Sequence, residues 1–434
     1  WFNEVASKRL SFPAAEIRFW VMSIAFIAFT ALIAGSYPAL YLSSFQSVKV
    51  LKGTFRVGRF ASVPRKILVV LQFTVSVSLI IGTILVYQQI HHTKDRPLGY
   101  DNNGIIMIPM NSYNFYGKYD QLRHELKSRE VIFEMSESSS PLTQIWSNNG
   151  GFNWPTKDPN LDGEFSTIWV THEYGKTVGW QFTEGRDFSR DFSTDSAALI
   201  VNEAAVKFMN IKDPVGTVVD DGRRKYTIVG VIKDMLMESP YEPVKQALYF
   251  LDYENVNWMH IKLNPAKPVN TSLATIEAVF KKHIPSAPFD YQFADEAFGE
   301  KFQSEERISK LTAFFAILAV FISCLGLFGL ASFVAEQRTK EIGIRKVIGA
   351  SVFNLWKLLS KEFLILVIIS CFIAIPVAYY YMHGWLQNYR YRTEISWHVF
   401  AAAIGGALLI TVLTVSFQAI KAAVANPVKS LRSE

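Results

Sequence analysis

Five short stretches of this 434-residue chain hold reactive or ligand-forming side chains, and each has a plainer use. EYGKT (173–177) ends like a phosphate-binding loop, but that motif needs a glycine where Val170 stands. His91 and His92 are metal-ligand types, yet no cysteine or carboxylate cluster nearby completes a ligand set. Asp220 and Asp221 precede Gly222, which suits a turn between strands better than paired acids for acid–base work. GRDFS (185–189) reads as a polar turn rather than a nucleophile motif. Asn270-Thr271-Ser272 fits either a glycosylation acceptor or a cap for the helix behind it. The expectation is no catalytic residue and no metal site. A sixth stretch, RTKEIGIRKVIGAS (338–351), has five charged groups between two long apolar runs. Its chemistry is that of binding.

The elements around that stretch are set by where charge is missing. Half of the residues are hydrophobic, and five uncharged stretches lie between Arg18 and Lys49, Lys66 and Lys94, Lys310 and Glu336, Glu362 and Arg390, and Glu394 and Lys421. A bilayer-spanning helix needs about 20 mostly apolar residues, so each stretch qualifies. The expected fold class is a polytopic α-helical membrane protein with five spans: 19–42, 67–90, 308–335, 363–382 and 397–420.

Charge then orients the spans. Segment 43–66 holds Lys49, Lys52, Arg56, Arg59, Arg65 and Lys66 with no acid, and segment 336–362 holds six basic residues against three Glu. By the positive-inside rule both are cytoplasmic, as is the tail 421–434 with Lys421, Lys429 and Arg432. The loops 1–18 and 383–396 and the long segment 91–307 are then extracytoplasmic. That long segment carries 23 basic and 31 acidic residues, a balance of −8. Its sequence has no cysteine, since Cys324 and Cys371 both fall in spans, so a disulfide framework is not expected.

Residue 1 is Trp, no leader precedes it, and 1–18 is expected outside, which predicts the C-terminal part of a longer polypeptide. An internal echo agrees. YPALYLSSFQSVKVLKG (37–53) aligns with FQAIKAAVANPVKSLRS (417–433) through Ala39 and Ala419, Val48 and Val428, Lys49 and Lys429, and Leu51 and Leu431. The first span would close a preceding repeat.

Segment 91–307 predicts a large α+β domain. GIIMIP (104–109), a helix over 119–129 and VIFEM (131–135) make one strand–helix–strand unit. WMHIKL (258–263), a helix over 272–284 and FDYQF (289–293) make a second. Between them lies a β-rich block, including ALIVNEAAVKFM (198–209) with Asn202 as an N-cap and YTIVGVI (226–232). From about 295 the pattern turns helical and runs without Gly or Pro from 300 to Gly326, predicting one stalk helix over 295–335, with a break near Ser304 as the alternative. Beyond it, Ile344, Val347, Ile348, Val352 and Leu355 form an apolar stripe. Glu336 with Lys340 and Glu341 with Arg345 form i,i+4 pairs, Gly349 is a helix stop and Ser351 an N-cap. The picture is an amphipathic helix along the cytoplasmic face with Lys and Arg outward, held by anionic lipid or docked on a soluble partner.

The segment Glu336, Gln337, Arg338, Thr339, Lys340, Glu341, Ile342, Gly343, Ile344, Arg345, Lys346, Val347, Ile348, Gly349, Ala350 resembles the signature between the second and third spans of FtsX-like permease domains. NPVKSLRSE (426–434) is similar to that family's ending, and IVNEAAVKF, DPVGTVV and YTIVGVIKD resemble the MacB-like external domain. The resemblance covers 65–434. It implies an ABC transporter permease in a bacterial inner membrane, handling a peptide, drug or lipoprotein, with no cofactor of its own and ATP bound by a partner. It also implies that Glu341, Ile342, Gly343, Ile344, Arg345, Lys346, Val347, Ile348, Gly349 and Ala350 form a coupling helix contacting a cytoplasmic ABC ATPase. Membrane lipid, a second permease unit (homodimer or pseudo-dimer) and an adaptor or outer-membrane protein are the further partners expected, and no nucleic acid. A membrane-anchored regulator, whose external domain controls a ligand or cell-wall enzyme without transport, is the alternative reading.

Overall fold

The computed structural model describes Asn3, Arg9 and residues 11–43, 63–161 and 163–424. Most of the basic linker 43–66, the tail beyond Val424, much of the loop 1–18 and most of both repeat copies lie outside the described residues. The chain divides into two compact units, one of residues 1–87, 307–383 and 395–434 and the other of 88–306 and 384–394.

Among the described residues five helices are long and apolar enough to cross a membrane. They are α1 (Ile17–Ser43), α2 (Val63–Lys94), α8 (Gln303–Gln337), α10 (Val352–Leu386) and α11 (Trp397–Val424). A nine-residue helix, α9 (Thr339–Val347), joins α8 to α10. In the first unit, buried side chains recur every fourth residue: Val69, Phe73, Val77, Ile81 and Leu85 on α2, and Leu355, Leu359, Phe363, Val367 and Cys371 on α10. Ala403, Ala407, Val415 and Ala419 of α11 complete the same core. Between α2 and α8 the fit depends on small and polar groups, the way helices pack where apolar contact alone favours no partner over lipid. Ser76 and Ser323 hydroxyls meet at 3.0 Å, and a Cβ at Gly326 would stand 2.6 Å from Gln72 Oε1.

The second unit is built on an eleven-stranded sheet. Its strands are β1 (Ile105–Pro109), β2 (Ile132–Ser138), β3 (Asn148–Asn149), β4 (Phe165–Val170), β5 (Phe182–Gly185), β6 (Ala198–Asn202), β7 (Val218–Asp220), β8 (Lys225–Ile232), β9 (Ala247–Leu251), β10 (Trp258–Leu263) and β11 (Gln292–Phe293). The order is β11-β1-β10-β2-β4-β9-β6-β8-β5, with β3 on β4 and β7 on β8. The outer four strands with α3 (Tyr119–Ser128) and α6 (Val269–His283) form two interlocked strand–helix–strand units, because β10 lies antiparallel between β1 and β2 while β1 lies antiparallel between β10 and β11. This is the split βαβ arrangement, with the β-rich lobe inserted after β2. That lobe carries the short helices α4 (Tyr174–Val178) and α5 (Glu203–Met209), and a single residue pair, Ser138 with Val170, joins β2 to β4. The lobe's own core gathers Phe165, Leu199, Val201, Ile228, Leu248 and Phe250.

Three expectations change. FDYQF shortens to a two-residue strand, because Phe289 turns onto Phe280 with ring centres 5.3 Å apart instead of continuing the ladder. α6 begins directly after Pro268, so Asn270–Ser272 lie in its first turn and do not cap it. The stalk is two helices, α7 (Ala294–Glu300) and α8, not one. At the junction Lys301 and Phe302 bond back to Phe298 O and Gly299 O, three residues away, which tightens the turn. The tightening follows from where these side chains go: Phe302 is buried, and the Lys301 ammonium reaches three main-chain carbonyls described below.

Asn202 behaves as expected. Its Oδ1 accepts from Ala205 N at 2.9 Å as the cap of α5 and from Ala247 N at 2.8 Å, while Nδ2 donates to Lys245 O at 2.9 Å. Asn202→Ala strands one buried and one part-buried main-chain group as well as the cap, and should cost about 2–4 kcal/mol. Denaturant unfolding of the purified chain checks this. Asn202→Asp, which keeps the acceptor, should fall between the two, and an unchanged midpoint for the alanine variant would refute the assignment.

Candidate functional site

α9 ends as its sequence dictates. Gly349 takes φ +95°, a left-handed conformation that a side chain resists, and the helix closes with Ala350 N donating to Arg345 O at 2.9 Å and Gly349 N to Lys346 O at 3.1 Å. These two bonds make a Schellman stop. Ser351 then caps α10, its hydroxyl accepting from Asn354 N at 3.3 Å. Glu341 and Arg345 pair at 2.8 Å. The other i,i+4 pair involves the Lys340 side chain, which is not among those described. At the start of α9, Arg338 donates to Glu362 of α10, and Lys66 of α2 stands 3.7 Å from the same carboxylate.

The apolar stripe of α9 does not pack on the bundle. Ile342 is buried at 4% exposure, whereas Ile344, Val347 and Ile348 are 51%, 66% and 80% exposed. The cause is helical phase. At about 100° per residue, positions 344, 347 and 348 gather on the side opposite 342. Leu355, placed by sequence in the same stripe, is buried at the start of α10. Ile342 and Gly343 face the bundle, Ala350 is half-buried against its core, and Glu341, Ile344, Arg345, Val347 and Ile348 form one exposed surface.

In the second unit, sequence reading missed a clamp around residues 235–245. The Lys301 ammonium donates to the carbonyls of Thr143, Met237 (2.8 Å) and Glu238 (2.5 Å). Arg96 donates to Pro240 O at 3.0 Å and Glu242 O at 2.7 Å, and its guanidinium lies 4.5 Å from the Tyr391 ring centre. The 384–394 loop joins in, with Tyr391 N donating to Tyr241 O at 2.9 Å, Gln89 Nε2 to Tyr391 O at 2.9 Å and Thr393 N to Gln89 Oε1 at 2.8 Å. His92, which offered itself as a metal ligand, stacks on Tyr391 at 4.7 Å. Among the described residues no three His, Cys, Asp or Glu gather as a metal site. The one available signal was the aromatic density of the loop, with Trp385, Tyr389 and Tyr391 close together.

The other sequence candidates take up structural work. Gly175 of EYGKT sits in α4 against Asp187, where a Cβ would stand 2.1 Å from Oδ2. In GRDFS, Arg186 forms a double bond pair with Asp195 at 2.8 and 2.6 Å. Asp220 and Asp221 accept main-chain N–H groups of Gly222, Arg223 and Arg224 at 2.6–2.8 Å, closing the turn from β7 to β8.

Two family descriptions match this chain: FtsX-like permease C-terminal over residues 313–427, and MacB-like periplasmic core domain over 67–279. The chain belongs to the FtsX-like, MacB-like family of ABC transporter permeases. A macrolide export ATP-binding/permease protein MacB of Chromobacterium violaceum is 25% identical over 292 residues, 63% of this chain and 44% of that relative. MacB of Neisseria gonorrhoeae is 25% identical over 295 residues, again 63% and 44%. The permease thus spans under half the length of these curated relatives. The periplasmic region of MacB from Actinobacillus actinomycetemcomitans is 13% identical over 48% of this chain and 96% of that one, with a TM-score of 0.34.

The external domain of the permease also holds carboxylates in opposite states. Burial pushes Glu173 and Glu134 up, but hydrogen bonds outweigh it and both sit below the usual carboxylate value. Glu173 accepts from Arg190 at 2.8 Å and Tyr119 at 2.7 Å, and Glu134 from Arg123 and Lys127 at 2.8 Å. Glu137, buried with no partner for Oε1, is pushed up to about 8 by burial and then by Asp120. An acid whose folded pKa is raised holds its proton more tightly when folded. Its favourable contribution is therefore complete below the unfolded value of 4.5 and is lost progressively as pH rises to about 8. Glu137→Gln should remove a fall in stability of up to about 1.4 kcal/mol per pH unit across that window. Unfolding midpoints at several pH values check it, and parallel wild-type and variant profiles would exclude a buried neutral Glu137.

Proposed function

We propose that this permease couples ATP hydrolysis by a separate cytoplasmic ABC ATPase to movements of its extracytoplasmic domain, exporting or handling a peptide, drug or lipoprotein. The observation that carries the proposal is the exposed ridge of Ile344, Val347 and Ile348 beside the Glu341–Arg345 pair, on a helix stopped by Gly349. A ridge of this kind costs solvation when bare and gains when a partner's groove covers it. Glu341, Ile344, Arg345, Val347 and Ile348 would meet the ATPase, while Ile342, Gly343 and Ala350 would seat the helix on the bundle. Residues 1–434 contain no G-x4-G-K-[ST] sequence, and the proposal assigns ATP binding to that partner.

The basic segments support an orientation with α9 and the C-terminus in the cytoplasm of a bacterium and residues 91–307 outside its inner membrane. In that orientation α8, 35 residues and about 50 Å long, extends past the roughly 30 Å of hydrocarbon. It is suited to carry a displacement of α9 across the membrane. A second permease unit, as homodimer or pseudo-dimer, and an adaptor or outer-membrane protein complete the proposed assembly.

The test is co-purification of the candidate ATPase with the membrane-extracted permease. Glu341→Lys with Arg345→Glu, and separately Val347→Asp with Ile348→Asp, should each reduce ATPase recovery by tenfold or more, an effect of about 1.4 kcal/mol or larger. Unchanged recovery in both variants would remove α9 as the docking element, and a functional ATPase that fails to bind the wild type would remove the proposal.

A further inference from the structure

The β-rich lobe of the external domain carries a cleft of about 330 Å³ that neither the turn chemistry nor the core packing uses up. It opens on one face of the sheet. Trp169 of β4, Phe250 of β9 and Tyr226 of β8 line it, with Trp169 stacked on Phe250 at 6.2 Å and Tyr226 edge-on to Phe250 at 4.8 Å. Asn149 of β3 and the turn residues Asp221 and Arg223 form its rim. Among the described residues, the Trp169 indole N–H and the Tyr226 hydroxyl have no hydrogen-bond partner, and the Arg223 guanidinium has no ion pair.

The rim acceptors are fixed in advance. Asp221 Oδ1 holds the N–H groups of Arg223 and Arg224 at 2.7 and 2.6 Å, which locks the carboxylate and leaves Oδ2 without a hydrogen bond among the described residues. Asn149 Nδ2 donates to Thr167 Oγ1 at 2.6 Å and Ser147 Oγ at 2.9 Å, so the amide orientation is set and Oδ1 stays free. Groups held by their own protein lose little freedom on binding. The cleft therefore offers two immobilised acceptors, three donors and a flat aromatic wall.

We propose that this cleft binds a neutral saccharide. A ligand that satisfies it needs an apolar face to lie on Trp169 and several hydroxyls around its edge, each both donor and acceptor. A wholly apolar ligand would leave the five polar groups desolvated and unpaired, at a cost for each. A charged ligand gains at Asp221 or Arg223 and loses at the other, since the rim holds one of each sign. A peptide adding to the outer edge of β3 would be held by main-chain bonds there, whereas Trp169, Phe250 and Tyr226 rise from the face of the paired strands β4, β9 and β8. The volume is near the lower end for small-molecule sites, suited to one or two sugar rings.

The test uses the full chain in lipid nanodiscs, which avoids glycoside detergents. Maltose, cellobiose and N,N′-diacetylchitobiose are titrated with saturation-transfer NMR and tryptophan fluorescence as readouts. At least one disaccharide should bind saturably with a Kd on the order of 1 mM. Tyr226→Phe and Arg223→Ala, which remove polar groups without emptying the core, should each weaken it about fivefold to tenfold at unchanged melting temperature. Trp169→Ala should abolish it. No saturable binding of any of the three up to about 20 mM, or equal binding by the Tyr226→Phe and Arg223→Ala variants, overturns the proposal. So does benzoate or a short peptide binding the cleft more tightly than the sugars.

Discussion

The external domain depends on two cations that end on main-chain carbonyls. Residues 237–242 belong to no strand or helix, so their carbonyls have no ladder to join. Left bare in a partly buried place, each would cost about 1–3 kcal/mol. Lys301 and Arg96 supply the missing donors from both sides, bonding Met237, Glu238, Pro240 and Glu242. This one requirement explains several features together. It turns Lys301 inward and so interrupts the helical run between α7 and α8. It fixes Tyr241 where its ring meets Tyr389 at 5.0 Å and Phe302 at 6.0 Å. It also gives the 384–394 loop a defined surface to bind, through Tyr391 N to Tyr241 O. A lysine with three charge-assisted bonds constrains three separate pieces of chain at once, which no apolar contact of similar size could do.

Much of the architecture was legible because it follows from composition and period. The five spans stand out by absence of charge, and WMHIKL becomes β10 over the same six residues. Asn202, Gly349 and Ser351 punctuate their helices as their side-chain chemistry requires. The failures share another cause. The break after Glu300 lacks any Pro, and its only local hint is Gly299, because the decisive bonds of Lys301 run to residues 143, 237 and 238. The clamp is illegible for the same reason: an arginine at 96 and a carbonyl at 240 leave no spacing rule to read.

The charged segment shows a subtler limit. Its apolar spacing was visible, and so was its helix stop, but spacing alone does not say which stripe meets the bundle. Ile342 and the group Ile344, Val347 and Ile348 are both apolar and lie on opposite sides of α9. The choice between them is made by the short connections at either end. Arg338 ties the start of α9 to Glu362 of α10, and the left-handed Gly349 turns the chain directly into α10. With both ends held, the rotation of a helix of two and a half turns is no longer free, and Ile342 is the side that faces in. Within the same fourteen residues the chain turns from α8 into α10 and presents an exposed apolar ridge.

The carboxylates of the external domain make the same point with charge in place of shape. Glu134 and Glu137 are three residues apart, and both are almost fully buried. Burial alone would neutralise each of them. Glu134 escapes because Arg123 and Lys127, four residues apart on α3, bring two cations to it. Glu173 escapes through Arg190 and the Tyr119 hydroxyl. Glu137 meets no comparable donor, and the nearby charge that acts on it, Asp120, is of its own sign. Burial is the larger cause at Glu137, and α3 widens the difference: Arg123 and Lys127 meet Glu134, whereas Asp120 at the helix start disfavours the ionised form of Glu137. A buried acid is kept ionised by the donors brought to it.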